Sequence, residues 1–330
     1  MSTKLEAVER AYRELEPKLS GFMLDFEIQR AAELVAEIEV LKREKNAVIL
    51  GHNYMTPDVF HVSDWKGDSL ALSQEAARTD ADIIVFDGVH FMAETAKVLN
   101  PSKLVLIPDL HAGCSLAESI TPEDVRTLKA ENPGARTVCY INTTAAVKAE
   151  CDAACTSANA VRVIEAMDTD EVIMIPDVYL TANTQKLTQK KLIPWETGKC
   201  MVHEVFTADL VEEQRRAHPG LYVLAHPECP PEVLDAADFS GSTSQMIARV
   251  AEVEAKQVFM VTECSMSDNV RALHPDKEFI STCVTCPHMG RITLERVRDA
   301  LLHEQFAVEV PEDVAEGARR AIERMLEIGR

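Results

Sequence analysis

The sequence is poor in aromatic residues and in basic charge, and it contains no long hydrophobic run. Phe, Trp and Tyr make up 5% of the 330 residues, which argues against a platform for stacking nucleic-acid bases. There are 34 Lys and Arg against 54 Asp and Glu, and the net charge of −20 argues against nucleic-acid binding. No apolar run reaches the ~18 residues of a membrane span, so none is predicted.

The chain also lacks an apolar segment near its N-terminus and any linker rich in Gly, Pro or Ser. Residues 1–20 are charged and helical in pattern, so we expect no secretory signal and a cytoplasmic protein. There are nine cysteines. Because the cytoplasm is reducing and nine is an odd number, we expect no disulfide framework. We expect several cysteines, including Cys139, to be buried as small hydrophobic side chains.

What the sequence does contain is an internal repeat. Cys200 lies 86 residues after Cys114, and Cys286 lies 86 residues after Cys200. Three short apolar runs, each typical of a buried parallel strand, end in polar residues at nearly the same spacing. These runs are NAVILGHNY, RTVCYIN and LYVLAHPE.

Small hydroxyl residues follow each of these strands and are predicted to open a helix. Ser69, Ser157 and Ser242 with Thr243 stand where an N-cap or first turn belongs. A second strand, a second helix and a third strand then lead to the cysteine. The second helix is least clear in the middle copy, at residues 181–188. The predicted unit is therefore β-α-β-α-β followed by a cysteine, three times over.

Alternating strands and helices predict parallel sheets with right-handed crossovers. The predicted fold class is α/β, with three homologous three-layer α/β/α domains arranged about a pseudo-threefold axis. Amphipathic patterns at 24–45 and 311–329 predict helices packed outside the repeats. The predicted boundaries are 1–115 for the first unit with the N-terminal helices, 116–201 for the second, 202–290 for the third, and 291–330 for the C-terminal helices.

Ligands of parallel sheets bind beyond the carboxyl ends of the strands, so the three edges together predict one site. A lone histidine is more often an ordinary hydrogen-bonded residue, but here the repeat places histidines at that edge. The helix openings also offer N–H groups suited to carboxylate or phosphate. The candidate substrate-binding residues are His52, Tyr54, Ser69, Tyr140, Asn142, Ser157, His203, His226, Glu228, Ser242 and Thr243.

The three evenly spaced cysteines are candidate metal ligands. Cys114, Cys200 and Cys286 suit a [4Fe–4S] cluster in which three irons are bound by protein and one stays open. For any one of these cysteines alone a buried structural role is favoured, whereas three at an even period, each among Gly, His or Pro, favour metal ligands.

Other cysteine patterns leave an alternative function open. Cys283 and Cys286 form a C-x-x-C, and Cys200 with His203 forms a C-x-x-H, which would fit a non-catalytic zinc or iron–sulfur sensing or redox protein. The repeat includes Cys286 and omits Cys283. Cys151 and Cys155 lie at helical spacing and are expected to pack in the interior.

The sequence resembles the quinolinate synthase family over residues 24–301. The matching segments are HNY with GDSL, GVHFMAETAKVLNP, PDLHAGCSLA, YINTTAAVKA, CTSANAV, GKCMVHE, AHPECPPEVLDAADFSGSTSQM and CPHMGRITLE. The resemblance implies three α/β domains around a [4Fe–4S] cluster. It also implies condensation of iminoaspartate with dihydroxyacetone phosphate to quinolinate, phosphate and water, in de novo NAD biosynthesis.

The resemblance assigns the three cysteines as cluster ligands and the eleven candidate residues to the substrate pocket. Glu228 is expected to act as the base, Tyr54 to donate to a developing oxyanion, and His226 to orient substrate anions. The open iron would act as a Lewis acid. An L-aspartate oxidase is a possible partner that hands over the unstable iminoaspartate.

The sequence departs from the family at three places. Asp87 stands where a cysteine is common, and residues 177–184 lack the usual D-x-N-L-G pattern. Gly290 stands where a lysine is usual, so any anion contact from that lysine must be missing or supplied elsewhere.

Overall fold

A computed structural model describes residues 2–329, and three parallel four-stranded sheets form its framework. The first sheet contains β1 (Ala47–His52), β2 (Trp65–Gly67), β3 (Ile83–Asp87) and β4 (Leu104–Leu106). The second contains β5 (Arg136–Tyr140), β6 (Ala153–Cys155), β7 (Glu171–Ile175) and β8 (Lys191–Pro194). The third contains β9 (Tyr222–Ala225), β10 (Phe239–Ser240), β11 (Gln257–Val261) and β12 (Glu278–Ile280).

All three sheets have the same strand order. It is β2-β1-β3-β4 in the first sheet, β6-β5-β7-β8 in the second and β10-β9-β11-β12 in the third. Every neighbouring pair is parallel, and Gly51, Cys139 and Ala225 occupy equivalent positions opposite Asp87, Ile175 and Val261. The predicted α/β class with three repeated units is confirmed.

Each unit has one strand more than the repeat pattern predicted. The additional strands β2, β6 and β10 are two or three residues long and lie at a sheet edge, so they leave little periodic signal in the sequence. Cys155 ends β6, and the helical spacing inferred for Cys151 and Cys155 is therefore wrong. Cys139 and Cys155 are fully buried, as expected of packing residues.

Helices connect the strands and cover the sheets. They are α1 (Ser2–Leu19), α2 (Asp25–Glu44), α3 (Pro57–Val62), α4 (Ser69–Ala76), α5 (His90–Leu99), α6 (Pro122–Glu131), α7 (Ala145–Ala149), α8 (Ala160–Glu165), α9 (Val178–Gln185), α10 (Ala208–Ala217), α11 (Pro231–Ala236), α12 (Thr243–Glu252), α13 (Cys264–Leu273), α14 (Leu294–His303) and α15 (Glu312–Ile328), with a 3-10 turn at Met289–Arg291. The two predicted outer helices correspond to α2 and α15.

The strand centres form the core. Ile49, Val138 and Val223 are completely buried, as expected for parallel strands covered on both faces. Burying each such side chain stabilises the fold by roughly 1.5–3 kcal/mol. At the periphery, α15 packs on α7 and β6 of the second unit.

Two of the three predicted helix openings have the expected geometry, and the one at Ser157 does not. Ser242 is the N-cap of α12 and accepts the N–H of Gln245. Ser69 is the first residue of α4, whose N-cap is Asp68. Ser157 lies outside the first turn of α8, since that helix begins at Ala160. Asn159 instead accepts the Thr156 N–H at 2.7 Å and delays the start of the helix.

No disulfide framework was expected, and the described residues contain one disulfide, between Cys264 and Cys283. These residues are 19 apart in the sequence and come together where the segment after β12 folds over the start of α13. Counting cysteines gave no indication of this pairing. None of the described helices combines the length and apolar character needed to cross a membrane.

Candidate functional site

One cavity lies where the carboxyl edges of the three sheets meet. The space between its lining residues, including the part that is open to solvent, is about 680 Å³. Thirteen of the fourteen residues proposed from sequence line it: His52, Tyr54, Ser69, Cys114, Tyr140, Asn142, Ser157, Cys200, His203, His226, Glu228, Thr243 and Cys286.

Ser242 is the exception, because its hydroxyl group is hydrogen-bonded to another residue and does not line the cavity. It donates a hydrogen bond of 2.9 Å to Asp68 Oδ2, and Asp68 itself lines the cavity. Asn53 Nδ2 also donates to Thr243 Oγ1 at 2.8 Å. These bonds join the first and third units at the N-termini of α4 and α12. Sequence reasoning missed Asp68, although Asp is a preferred N-cap residue immediately before Ser69.

The first and third units present equivalent histidines. His52 Nδ1 accepts the N–H of Tyr54 at 3.2 Å, and His226 Nδ1 accepts the N–H of Glu228 at 3.4 Å. Burial lowers the pKa of His52 to about 4 and that of His226 to about 3, so both rings are neutral near pH 7. Because each Nδ1 is an acceptor, each Nε2 carries the proton and can donate to a ligand.

Glu228 is the centre of a buried hydrogen-bond network. Its Oε1 accepts from Tyr140 Oη at 2.5 Å and from Asn142 Nδ2 at 3.4 Å. Its Oε2 lies 2.8 Å from His203 Nδ1 and 3.9 Å from His226 Nδ1. Burial opposes ionisation, but the His226 and His203 side chains and the hydrogen bonds from His203 and Tyr140 outweigh it and lower the pKa of Glu228. The carboxylate is therefore ionised at neutral pH.

Thr262 extends this network, and sequence reasoning missed it. Its Oγ1 lies 2.6 Å from Tyr54 Oη and 3.0 Å from His203 Nε2. Burial and then the Glu228 carboxylate raise the pKa of Tyr54 well above its usual value, so the phenol stays protonated. Tyr54, Thr262, His203 and Glu228 thus form one continuous chain of hydrogen-bonding groups. Thr262 directly follows β11, and this position at the carboxyl end of a strand is the signal that could have identified it from the sequence.

The three cysteines come from equivalent loops, one in each unit. All three are half-buried and face the same cavity. Burial raises the pKa of the Cys114 thiol to about 12 and raises the pKa values of Cys200 and Cys286, so the free thiols are neutral. Three thiols converging on one cavity fit the donor set of a [4Fe–4S] cluster that keeps one open iron.

Hydrogen bonds anchor the loops that carry these thiols. Ser115 Oγ donates to Lys199 O at 3.1 Å and accepts from Met201 N at 3.1 Å, which joins the first two cysteine loops. The N–H of Cys286 donates to Glu263 Oε1 at 3.3 Å. Cys283 is bonded to Cys264, so the C-x-x-C pair expected of a zinc or redox site is not assembled.

The cavity combines anionic and neutral polar groups. Among the described residues that line it there is no Lys or Arg, whereas Asp68 and Glu228 are both present. Any anionic ligand must therefore be held by hydroxyl, imidazole and backbone N–H donors, or by a bound metal.

The three departures from the family pattern have distinct settings. Asp87 is completely buried at the end of β3, and neither carboxyl oxygen has a hydrogen-bond partner among the described residues. Asp177 caps α9 by accepting from Tyr179 N and Leu180 N. This cap also explains why α9 starts at Val178, ahead of the predicted residue 181. A Cβ added at Gly290 would meet nothing within 4 Å, and Gly290 is not among the described residues that line the cavity.

The fold and the cavity define an α/β protein with three repeated sheets around a central site lined by thiols, imidazoles and carboxylates. Residues 36–327 match the family described as quinolinate synthetase A protein. The chain belongs to this family and is an enzyme of it.

Relatives of known name agree with this assignment. A quinolinate synthase of Agrobacterium fabrum is 57% identical over 89% of this chain and 85% of its own length. The quinolinate synthase of Caulobacter vibrioides strain NA1000 is 55% identical over 94% of this chain and 86% of its own length. That of Sinorhizobium fredii is 49% identical over 98% of this chain and 90% of its own length.

Proposed function

We propose that the chain is a quinolinate synthase that condenses iminoaspartate with dihydroxyacetone phosphate to give quinolinate, phosphate and water. This reaction would serve de novo NAD biosynthesis. The observation that carries the proposal is the convergence of one cysteine from each unit on a cavity rich in neutral hydrogen-bond donors. Family membership supports the same activity.

We propose that Cys114, Cys200 and Cys286 hold a [4Fe–4S] cluster. When bound, the cluster would supply an open iron as a Lewis acid that grips a carboxylate or hydroxyl oxygen and assists loss of hydroxide. The cavity has no lysine or arginine among its described lining residues, so a metal centre would also provide positive charge for anionic substrates.

The substrates would be oriented by neutral donors. His52 and His226 each have Nε2–H available because their Nδ1 atoms accept backbone N–H groups. Ser69, Ser157 and Thr243 add hydroxyl groups around the same cavity. Such donors bind carboxylate and phosphate oxygens without placing a buried cation in the protein.

Proton transfer would use the chain from Tyr54 to Glu228. A carboxylate with a lowered pKa is ionised but is a weak base by itself. We therefore assign Glu228 the role of stabilising the positive charge that His203 acquires when its imidazole takes up a proton. In the neutral state His203 Nδ1–H donates to Glu228, and Nε2 accepts from the Thr262 hydroxyl. Thr262 in turn lies within hydrogen-bond distance of Tyr54, which would exchange a proton with the reacting molecule.

The test is an anaerobic assay of the iron-loaded protein with freshly generated iminoaspartate and dihydroxyacetone phosphate. Quinolinate formation that requires both substrates is the expected result. An L-aspartate oxidase can supply the iminoaspartate and tests the proposed functional link in the same assay. A brown protein containing iron and sulfide that forms no quinolinate would contradict the proposed activity.

A further inference from the structure

The half-buried side chain of Cys200 and the buried side chains of His203 and Glu228 meet at one point of the cavity. Cys200 Sγ lies 3.1 Å from His203 Nδ1, and His203 Nδ1 lies 2.8 Å from Glu228 Oε2. All three donor atoms lie within 4.8 Å of one another. His203 and Glu228 are 0% and 3% exposed, so these donors face protein and cavity rather than bulk water.

A thiolate, an imidazole and a carboxylate are all ligands of zinc. A mononuclear Zn²⁺ site with three protein ligands leaves the fourth tetrahedral position for water or another small ligand. Here that position would open toward the cavity that all three residues line. Mixed sulfur, nitrogen and oxygen donors favour Zn²⁺ over Mg²⁺ or Ca²⁺, which prefer oxygen ligands.

The surrounding hydrogen bonds suit a metal at this point. A metal at His203 Nδ1 requires the proton on Nε2, and Thr262 Oγ1 lies 3.0 Å from Nε2 to accept it. The other oxygen of Glu228 is held by Tyr140 and Asn142. Outer partners of this kind fix the tautomer of a ligating histidine and the orientation of a ligating carboxylate.

The charges also balance. Zn²⁺ with one thiolate and one carboxylate is neutral overall, which favours a site from which water is largely excluded. The Cys200 thiol would lose its proton to solvent as the metal binds, and the proton of His203 would move from Nδ1 to Nε2.

We propose that the chain without its cluster binds a single Zn²⁺ through Cys200, His203 and Glu228. This site shares Cys200 with the proposed cluster, so the two metal states exclude one another. Zinc would hold the protein in a form that cannot take up iron and sulfide until the zinc is removed. The proposal concerns metal binding by the free protein and does not depend on the proposed reaction.

Cobalt provides a direct spectroscopic test, because Co²⁺ replaces Zn²⁺ and reports thiolate ligands through a charge-transfer band. The full-length protein, freed of iron and kept anaerobic, is titrated with Co²⁺ and then with Zn²⁺. We expect one Co²⁺ per chain with a thiolate band and four-coordinate visible bands, and their loss as Zn²⁺ displaces the cobalt.

Cobalt spectra of variants in the two sets of ligands distinguish the proposed zinc site from the proposed cluster site. Cys200→Ser, His203→Ala and Glu228→Gln should each lose the cobalt spectrum, while Cys114→Ser and Cys286→Ser should keep it. Thr262→Val should weaken binding by about tenfold to a hundredfold, the usual cost of an outer partner. Far-ultraviolet circular dichroism and thermal melting of each variant show that it is folded.

The opposite pattern would overturn the proposal. A cobalt spectrum that disappears in Cys114→Ser or Cys286→Ser places the metal among the three cysteines. A spectrum that survives in both His203→Ala and Glu228→Gln removes those residues from the ligand set.

A second measurement tests mutual exclusion without using activity. Protein preloaded with one Zn²⁺ is incubated with iron and sulfide, and cluster content is followed by absorbance and iron analysis. Iron uptake should be blocked in the wild type and restored by a zinc chelator, whereas His203→Ala should take up iron whether or not zinc was added. Equal uptake by zinc-loaded and zinc-free wild type would contradict the proposal.

Discussion

The three units share a backbone but contribute unequal chemistry to the cavity. The first strand of unit one ends in His52, and His226 directly follows the first strand of unit three. The Nδ1 atom of each histidine accepts the backbone N–H group two residues later. At the equivalent place the second unit has Tyr140, which donates to Glu228 of the third unit. The cysteines, in contrast, are the same in all three units. What is common to the units therefore suits a symmetric metal centre, and what differs suits an asymmetric reaction.

Removing a shared element should have the largest effect. Cys114→Ala, Cys200→Ala and Cys286→Ala should each lose cluster iron and all quinolinate synthesis, because each unit supplies one ligand. Cys283→Ala should keep both, since Cys283 is bonded to Cys264 and lies outside the 86-residue register. Iron analysis and the anaerobic assay measure both properties. A Cys283→Ala protein without iron, beside a Cys286→Ala protein with iron, would show that the register is misleading.

The next largest effect should come from Glu228, whose equivalents after the first strands of the other two units are Tyr54 and Asn142. Glu228→Gln keeps the size of the side chain but removes its charge, so turnover should fall by roughly two to four powers of ten. Cluster content should be unchanged, and binding of a dicarboxylate substrate mimic should change much less, because His52 and the hydroxyl residues remain. Near-normal turnover with full cluster content would exclude Glu228 from the mechanism.

Thr262 gives a smaller effect that tests the chain from Tyr54 to Glu228. Thr262→Val removes the hydroxyl between Tyr54 Oη and His203 Nε2 and leaves these two atoms only their direct contact of 3.4 Å, which costs about 1–3 kcal/mol. We expect turnover to fall about tenfold to a hundredfold with little change in KM. Thr262→Ser keeps the hydroxyl and is the matched control. If Ser and Val variants behave alike, the hydroxyl has no role in proton transfer.

The smallest effect concerns stability, at a position where the first unit differs from the others. Asp87 is equivalent to Ile175 and Val261, and burial raises its pKa well above the usual value. When a carboxyl group has a higher pKa in the folded state than in the unfolded state, its burial destabilises the folded protein more and more as the pH rises above the unfolded pKa. For Asp the unfolded pKa is about 3.9. Asp87→Val should therefore raise the free energy of unfolding at pH 8 by about 1–3 kcal/mol, and by less at pH 5.

Urea unfolding of the wild type and the variant at both pH values measures this difference. Asp87→Asn is the control that removes the titration while keeping a polar group, so its stability should vary less with pH than that of the wild type. An Asp87→Val protein that is less stable than the wild type at pH 8 would indicate that the carboxyl has a partner.

Several errors of the sequence analysis share one cause. The edge strands β2, β6 and β10 are too short to give a periodic signal. At the start of α8, Asn159 rather than Ser157 is the N-cap, and its side chain accepts a local hydrogen bond from the Thr156 N–H. Asp177 similarly sets the start of α9. In each case the boundary depends on a single side chain or on a neighbouring strand, whereas hydrophobic patterns report only longer segments.

The order of the amino acids was enough to predict the repeated α/β fold, and 13 of the 14 residues proposed from it line the cavity. Strand and helix patterns depend on neighbours along the chain, and the carboxyl ends of parallel strands must lie at one edge. The packing of the units was needed to show that Ser242 faces Asp68, that Thr262 joins Tyr54 to His203, and that Cys264 bonds Cys283. Those contacts join residues from different elements, and their distances are set by how the units pack.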